Sequence, residues 1–164
     1  MGEWVGVSIE KKQLNMGREI ERKFLVKGEF RDQAVRHYEI LQRYLSIDPE
    51  KTIRLRIAGN TGLLTIKGKP RKYSISRGEW EITIPVEDAE EIMELCLPGK
   101  IEKTRYVIPC GRHKFEVDVF HDRNEGLIIA EIELSSEEEE FEKPEWLGEE
   151  VTGRPEYYNS SLIK

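Results

Sequence analysis

Side chains alternate between apolar and polar at a spacing of two through much of this chain, the pattern of strands with one buried face. The first such segment covers roughly residues 18–26, where Glu19, Glu21 and Lys23 share one side and Ile20 lies on the other. From Thr52 to Ala58, Arg54 and Arg56 face one way while Ile53, Leu55 and Ile57 face the other. The next strand sets Thr65 and Lys67 against Leu64 and Ile66, and the one after it sets Arg77, Glu79 and Glu81 against Trp80, Ile82 and Ile84. Lys103 with Arg105, Glu116 with Asp118, and Glu131 with Glu133 make three further same-side pairs. Hairpin turns are predicted at 59–62 and 110–112. Helical spacing appears over 88–97, with Asp88 as cap, Ala89, Ile92, Met93 and Leu97 on one face, and Pro98-Gly99 as the stop. A short acidic helix is predicted at 136–142 from a Ser136/Glu139 capping box. A final helix is predicted from Pro155 to Ile163, and a further short one over 27–35.

Charge changes this picture. Each strand divides into an apolar side and a charged side, and the charges come mostly as like-signed pairs, which destabilise an ordinary solvated sheet. Glu19 and Glu21 lie about 7 Å apart on one face and repel by roughly 2 kcal/mol at an effective dielectric near 20. A divalent cation on oxygen ligands compensates such a pair, and so do neighbouring Arg and Lys. If the strands close into a barrel with charged sides inward, acidic pairs share cations and basic pairs face a polyanion. Helices then cover the apolar outside.

Composition narrows the class. A chain of 164 residues is long enough for one core without disulfides, and we read residues 16–164 as a single domain. Residues 1–15, ahead of Met16-Gly17-Arg18, read either as a dispensable leader or as a product of start-site choice. The net charge of −6 argues against general attraction to nucleic acid while allowing a local basic lining to capture a small polyanion. The two cysteines, Cys96 and Cys110, form no CxxC or Cys/His cluster, and no apolar run or signal-peptide core points to a membrane. A cytoplasmic protein is expected. The oligomeric state is left open, a homodimer included.

Seven pieces occur in order: EIERKFLV at 19–26, TIRLRI at 52–57, LTIKG at 64–68, GEWEI at 78–82, EKTRY at 102–106, FEVDVF at 115–120 and AEIEL at 130–134. Together they resemble the CYTH superfamily, the triphosphate tunnel metalloenzymes, whose signature is ExExK. The resemblance runs from about Arg18 to Leu162 and is strongest to the short bacterial members that hydrolyse inorganic triphosphate. It implies a mainly β (α+β) fold, a closed eight-stranded antiparallel β barrel with a charged interior and a few covering helices. It also implies that Mg²⁺ or Mn²⁺ sits on Glu19, Glu21, Glu131 and Glu133. Lys23, Arg54, Arg56, Lys67, Lys103 and Arg105 would line the substrate site, with Arg77 either joining them or standing at a solvent-facing rim. Glu79, Glu81 and Asp118 are further acidic tunnel positions, serving a second metal or the orientation of basic residues; Glu116 is either another acidic tunnel position or a residue of the solvent-facing rim. Glu21, Glu133 and Lys103 are the catalytic candidates, and the terminal helix would plug one end.

The expected activity is metal-dependent cleavage of inorganic triphosphate to pyrophosphate and phosphate. Thiamine triphosphate hydrolysis, nucleoside triphosphate hydrolysis and cyclisation of ATP use the same lining and differ in how an organic group is held; Tyr44, Tyr73 or Trp80 are candidates to stack on a ring. A noncatalytic barrel for polyphosphate or single-stranded nucleic acid is disfavoured, because acids are as abundant as bases and Trp80 falls on the apolar side. Blander readings stand beside these. Arg54 and Arg56 pair with Glu79 and Glu81 in a structural network; Arg22 and Glu102, on the opposite faces, serve the surface; His37, His113 and His121 are scattered; Trp80 and Trp146 pack.

Overall fold

The alternating segments form strands where the pattern places them. The computed structural model describes residues 9–10, 20–70 and 77–163. Its strands are β1 (Ile9–Glu10), β2 (Ile20–Val26), β3 (Arg36–Asp48), β4 (Lys51–Ala58), β5 (Thr61–Pro70) and β6 (Arg77–Ile84). After helix α1 (Val86–Met93) come β7 (Ile101–Cys110), β8 (His113–Phe120), β9 (Ile128–Leu134) and β10 (Leu147–Glu150). They make one sheet in the order β1-β6-β5-β4-β3-β7-β8-β9-β2-β10, with every neighbouring pair antiparallel. Gly59 and Gly111 turn the β4–β5 and β7–β8 hairpins at φ of 57° and 58°, a region that penalises a Cβ.

Eight strands in a closed barrel were expected; among the described residues the ladder has ten, and its ends are not hydrogen-bonded to each other. The additional strands are short: β1 has two residues and β10 four, too few for a period-two signal. The sheet is nevertheless strongly curved. Lys67 of β5 exerts its charge on Glu21 of β2, and Asp118 of β8 on Arg56 of β4, although other strands separate each pair in the ladder. The charged side is therefore the concave one.

The convex side holds the main core. Phe24, Ile108, Phe115, Val117, Ala130, Ile132 and Leu134 are covered by Phe30, Trp146 and Leu147, with Phe141 packed against them. This cover is largely irregular chain where helices were expected. Residues 27–35 contain only a 3₁₀ turn at Arg31–Gln33. Residues 136–142 form no helix: the run Glu137–Glu140 stacks like charges, and Glu139 accepts a bond from the Ser135 N–H at 2.6 Å instead of closing a box with Ser136. Helix α1 starts at Val86 after Pro85, so Asp88 sits in its first turn and is not the cap, and the helix ends at Met93.

The terminal helix is replaced by two 3₁₀ turns, Pro155–Tyr157 and Asn159–Ser161, where Asn and Ser are weak helix formers. Beyond them Leu162 packs on Ile101, Phe120 and Ile129, flanked by Leu127, Tyr157 and Ile163. Ile101 shares a side with Lys103, Phe120 with Asp118 and Ile129 with Glu131, so the C-terminal segment covers one end of the charged face. The buried Asn124 amide fixes it by donating to the Leu162 carbonyl at 2.7 Å.

Candidate functional site

Antiparallel register brings the charged positions into rows across the concave face. Glu21 lies opposite Glu133 and Lys23 opposite Glu131 on β2 and β9; Glu116 faces Glu131 across β8 and β9. Arg105 faces Asp118, Arg54 faces Thr65, and Lys67 faces Glu79 while Thr65 faces Glu81. Lys103 lies opposite Ile40, and Arg56 opposite Gln42. Glu19 and Tyr73 lie outside the described residues, and Arg77 opens β6 opposite Pro70.

At one end the acids crowd together. Burial pushes the Glu21 carboxyl up to about 7, helped by the charges of Glu131 and Glu133 and opposed by Lys23 and Lys67. The Lys23 ammonium stands 3.7 Å from Glu131, so the cluster is only partly neutralised. A cavity of about 200 Å³ opens here, lined by Glu21, Glu116, Glu131 and Glu133 together with Arg112 of the β7–β8 turn and His113 and Lys114 at the start of β8. Among the described residues, no three acidic, His or Cys side chains converge closely enough to hold a metal ion. The donor chemistry nonetheless suits a hard divalent cation: the candidate donors are all carboxylate oxygens, and burial together with the charges of Glu131 and Glu133 makes Glu21 harder to ionise in the absence of a cation.

Deeper in, the cations divide into two kinds. Asp118, almost fully buried, takes two bonds from Arg105, Nε to Oδ1 at 2.7 Å and Nη2 to Oδ2 at 2.9 Å. Lys103 Nζ stands 2.8 Å from the same Oδ2, and Arg105 Nη1 reaches Glu116 at 2.9 Å. Burial alone would raise the Asp118 carboxyl, but Lys103 and Arg105 outweigh it and hold the group at about 2. Burial pushes Lys103 down to about 8, with Arg105 and Arg56 adding to the effect and Asp118 resisting it. Beyond that ion pair, Lys103 Nζ has no hydrogen-bond partner. Between the two sequence readings of Asp118, the geometry favours the orientation of basic residues.

Arg54 and Arg56 are held by neutral groups. Arg56 donates from Nε and Nη2 to Gln42 Oε1 at 3.0 and 2.8 Å, and Gln42 Nε2 donates to the Tyr44 hydroxyl at 2.8 Å. Arg54 Nη2 approaches Thr65 Oγ1 at 3.4 Å, and that hydroxyl reaches Glu81 at the same distance. Arg54 Nε is buried without a partner. Burial, then the nearby Arg54 and Arg105, push Arg56 down to about 10. Among the described residues, an amide and a hydroxyl thus stand where direct pairs with Glu79 and Glu81 were the structural reading.

Sequence reasoning set Thr65 on the side of Lys67 without giving it a role and missed Gln42 altogether; both are fully buried. The available signal was the series Ile40, Gln42, Tyr44 at every second position of β3, a polar pair in an otherwise inward row. Trp80 lies on the convex side and is 37% exposed, its ring over Gly78 and Gly68; it does not reach the charged face. Arg22, also convex, pairs with Glu150 and lies over the Phe24 and Phe141 rings. Glu102 pairs with Lys100.

Comparison with known proteins gives consistent matches. The CYTH domain profile covers residues 17–162. An inorganic triphosphatase of Acetivibrio thermocellus is 46% identical over 150 residues, 91% of this chain and 95% of its own length. An inorganic triphosphatase of Nitrosomonas europaea is 37% identical over 149 residues, with coverage of 88% and 95%. A crystal structure of an inorganic triphosphatase superposes with a TM-score of 0.67 at 34% identity, over 88% of this chain and 93% of that one.

Proposed function

The chain belongs to the CYTH domain family, and from that premise we propose that it hydrolyses inorganic triphosphate to pyrophosphate and phosphate with a divalent metal. One observation carries the reading: a single concave face joins an under-neutralised carboxylate cluster to buried cations that still have N–H donors to give. In this reading the curved sheet closes around that face as a tunnel, and the segment ending at Leu162 plugs one end.

Glu19, Glu21, Glu131 and Glu133 would hold Mg²⁺ or Mn²⁺, which when bound supplies neutralisation of phosphate oxygens and a more acidic water. Arg54 and Arg56 grip phosphate oxygens through paired N–H groups, while Lys23, Lys67, Arg77 and Arg105 contribute positive charge along the wall. Lys103 turns a desolvated ammonium toward the phosphates and stabilises charge as it develops. Glu21 and Glu133, opposite each other on β2 and β9, are the candidate bases for the proton of the attacking water. Glu79, Glu81, Glu116 and Asp118 hold the basic groups in place.

An inorganic substrate is favoured because neither described residue expected to stack on a ring is free to do so: Tyr44 is buried and engaged by Gln42, and Trp80 points away. We place the protein in the cytoplasm, in keeping with two free cysteines; no described helix is long and apolar enough to cross a membrane. The test is a panel of tripolyphosphate, thiamine triphosphate and ATP under Mg²⁺ and Mn²⁺, with detection of phosphate, pyrophosphate and cyclic AMP. Fastest turnover of tripolyphosphate is expected. Cyclic AMP or thiamine diphosphate as the main product would replace the substrate assignment, and tight binding without turnover would leave a noncatalytic barrel.

A further inference from the structure

We propose that Gln42 is a positioning residue for phosphate capture: as a neutral acceptor it aims the Arg56 guanidinium and leaves its charge uncancelled for the ligand. The inference rests on the triphosphatase reading of the same face.

Three features lead to it. Gln42 is 0% exposed, and its amide orientation is fixed by chemistry. Arginine has no acceptor, so Oε1 must face Arg56 and Nε2 must turn to the Tyr44 hydroxyl, as the 2.8 Å contact has it. Both Arg56 bonds go to that one oxygen. They use one N–H on Nε and one on Nη2, which leaves three of the five guanidinium donors for a phosphate.

The contrast with its neighbours makes the choice of an amide informative. Arg105 spends its donors on Asp118 and Glu116, and Lys103 and Lys23 each stand beside a carboxylate. In a poorly solvated interior a carboxylate partner competes directly with a phosphate for the same cation. Glutamate at position 42 would make the stronger bond to Arg56, and it differs from glutamine only in replacing NH₂ by O. A wall built only for stability would gain from that acid. The amide keeps the geometry without the competing charge.

The decisive experiment compares Gln42→Glu with Gln42→Met, reading tripolyphosphate affinity by calorimetry without turnover, KM and kcat by phosphate release, and Tm. Gln42→Glu is expected to weaken binding and raise KM by about 10-fold or more, with Tm equal to or above the parent protein. Gln42→Met is expected to be the milder of the two for binding and the worse for Tm. Binding by Gln42→Glu as tight as the parent protein's, or weaker binding in Gln42→Met than in Gln42→Glu, overturns the proposal.

Should Gln42→Glu not fold, the cycle of Gln42→Met with Arg56→Met decides. The loss of affinity from Gln42→Met must disappear once Arg56 is gone, and an equal loss in both backgrounds refutes a role exerted through Arg56. A parent protein that binds tripolyphosphate but never cleaves it sinks the enzymatic reading and leaves Gln42 to be judged on the binding arm. One that does not bind at all overturns both.

Discussion

Asp118 is the residue on which the cationic wall depends. It anchors Arg105 through two bonds and Lys103 through one ion pair, all with almost no solvent access. Asp118→Ala leaves two buried cations without their shared counter-charge and should cost about 3–5 kcal/mol, measured by urea denaturation. The pH dependence follows from its depressed carboxyl. The native value of about 2 lies below the ordinary 3.8, so the contribution is fully present above the ordinary value and is lost as pH falls through about 2. Lys103 has the opposite sense: its native value of about 8 is below 10.5. It is charged beneath pH 8, where burial of that charge costs stability, and the cost is relieved between 8 and 10.5. The kcat/KM for tripolyphosphate is therefore expected to fall above about pH 8, and Lys103→Arg should move that fall to higher pH. Alternation alone made Asp118, Lys103 and Arg105 legible as facing one way. That one carboxylate serves both cations depends on side-chain reach across β7 and β8, which spacing along a strand does not encode.

Among the elements, most strands were legible and so was α1 apart from its bounds, whereas the 13-residue β3 was not singled out and the other expected helices are absent. β4, β5, β7, β8 and β9 carry enough alternating residues for the period to show, and hydrophobic burial on the convex side enforces it. The 27–35 and 136–142 segments also carry apolar residues, but their burial is achieved by single anchors such as Phe30 and Phe141 packed on the sheet. A single anchor does not need a helical repeat. The C-terminal segment behaves the same way: it is held by Leu162 in an apolar nest of Ile101, Phe120 and Ile129. Leu162→Ala should lower stability by about 2–4 kcal/mol through the cavity it leaves, measured by thermal or urea unfolding. Asn124→Ala removes the donor to the Leu162 carbonyl and should cost about 1 kcal/mol by the same measurement.

For the molecule as a whole, sequence showed which side of the sheet bears charge but not how the edges meet, because β1 and β10 are too short to announce themselves. It also located the carboxylate cluster while leaving its protonation unknown. The Glu21 carboxyl at about 7 sits above its ordinary 4.5, so the metal-free fold loses stability as pH rises from 4.5 through 7 and the buried group ionises. A divalent ion held by Glu21, as proposed, would reverse that penalty. Added Mg²⁺ or Mn²⁺ should raise Tm more at pH 8 than at pH 6, and chelation should remove both the gain and the turnover; equal Tm gains at both pH values would argue against Glu21 as a ligand. Asp118 carries a further consequence for the order of events. Its two cations, Lys103 and Arg105, are already locked to it in the free protein, whereas the Glu21 carboxyl at about 7 is still partly protonated at neutral pH. In the proposed site the two halves therefore differ in readiness: the cations gathered on Asp118 are fixed in the free protein, and the carboxylate cluster is the part that a bound ion would complete.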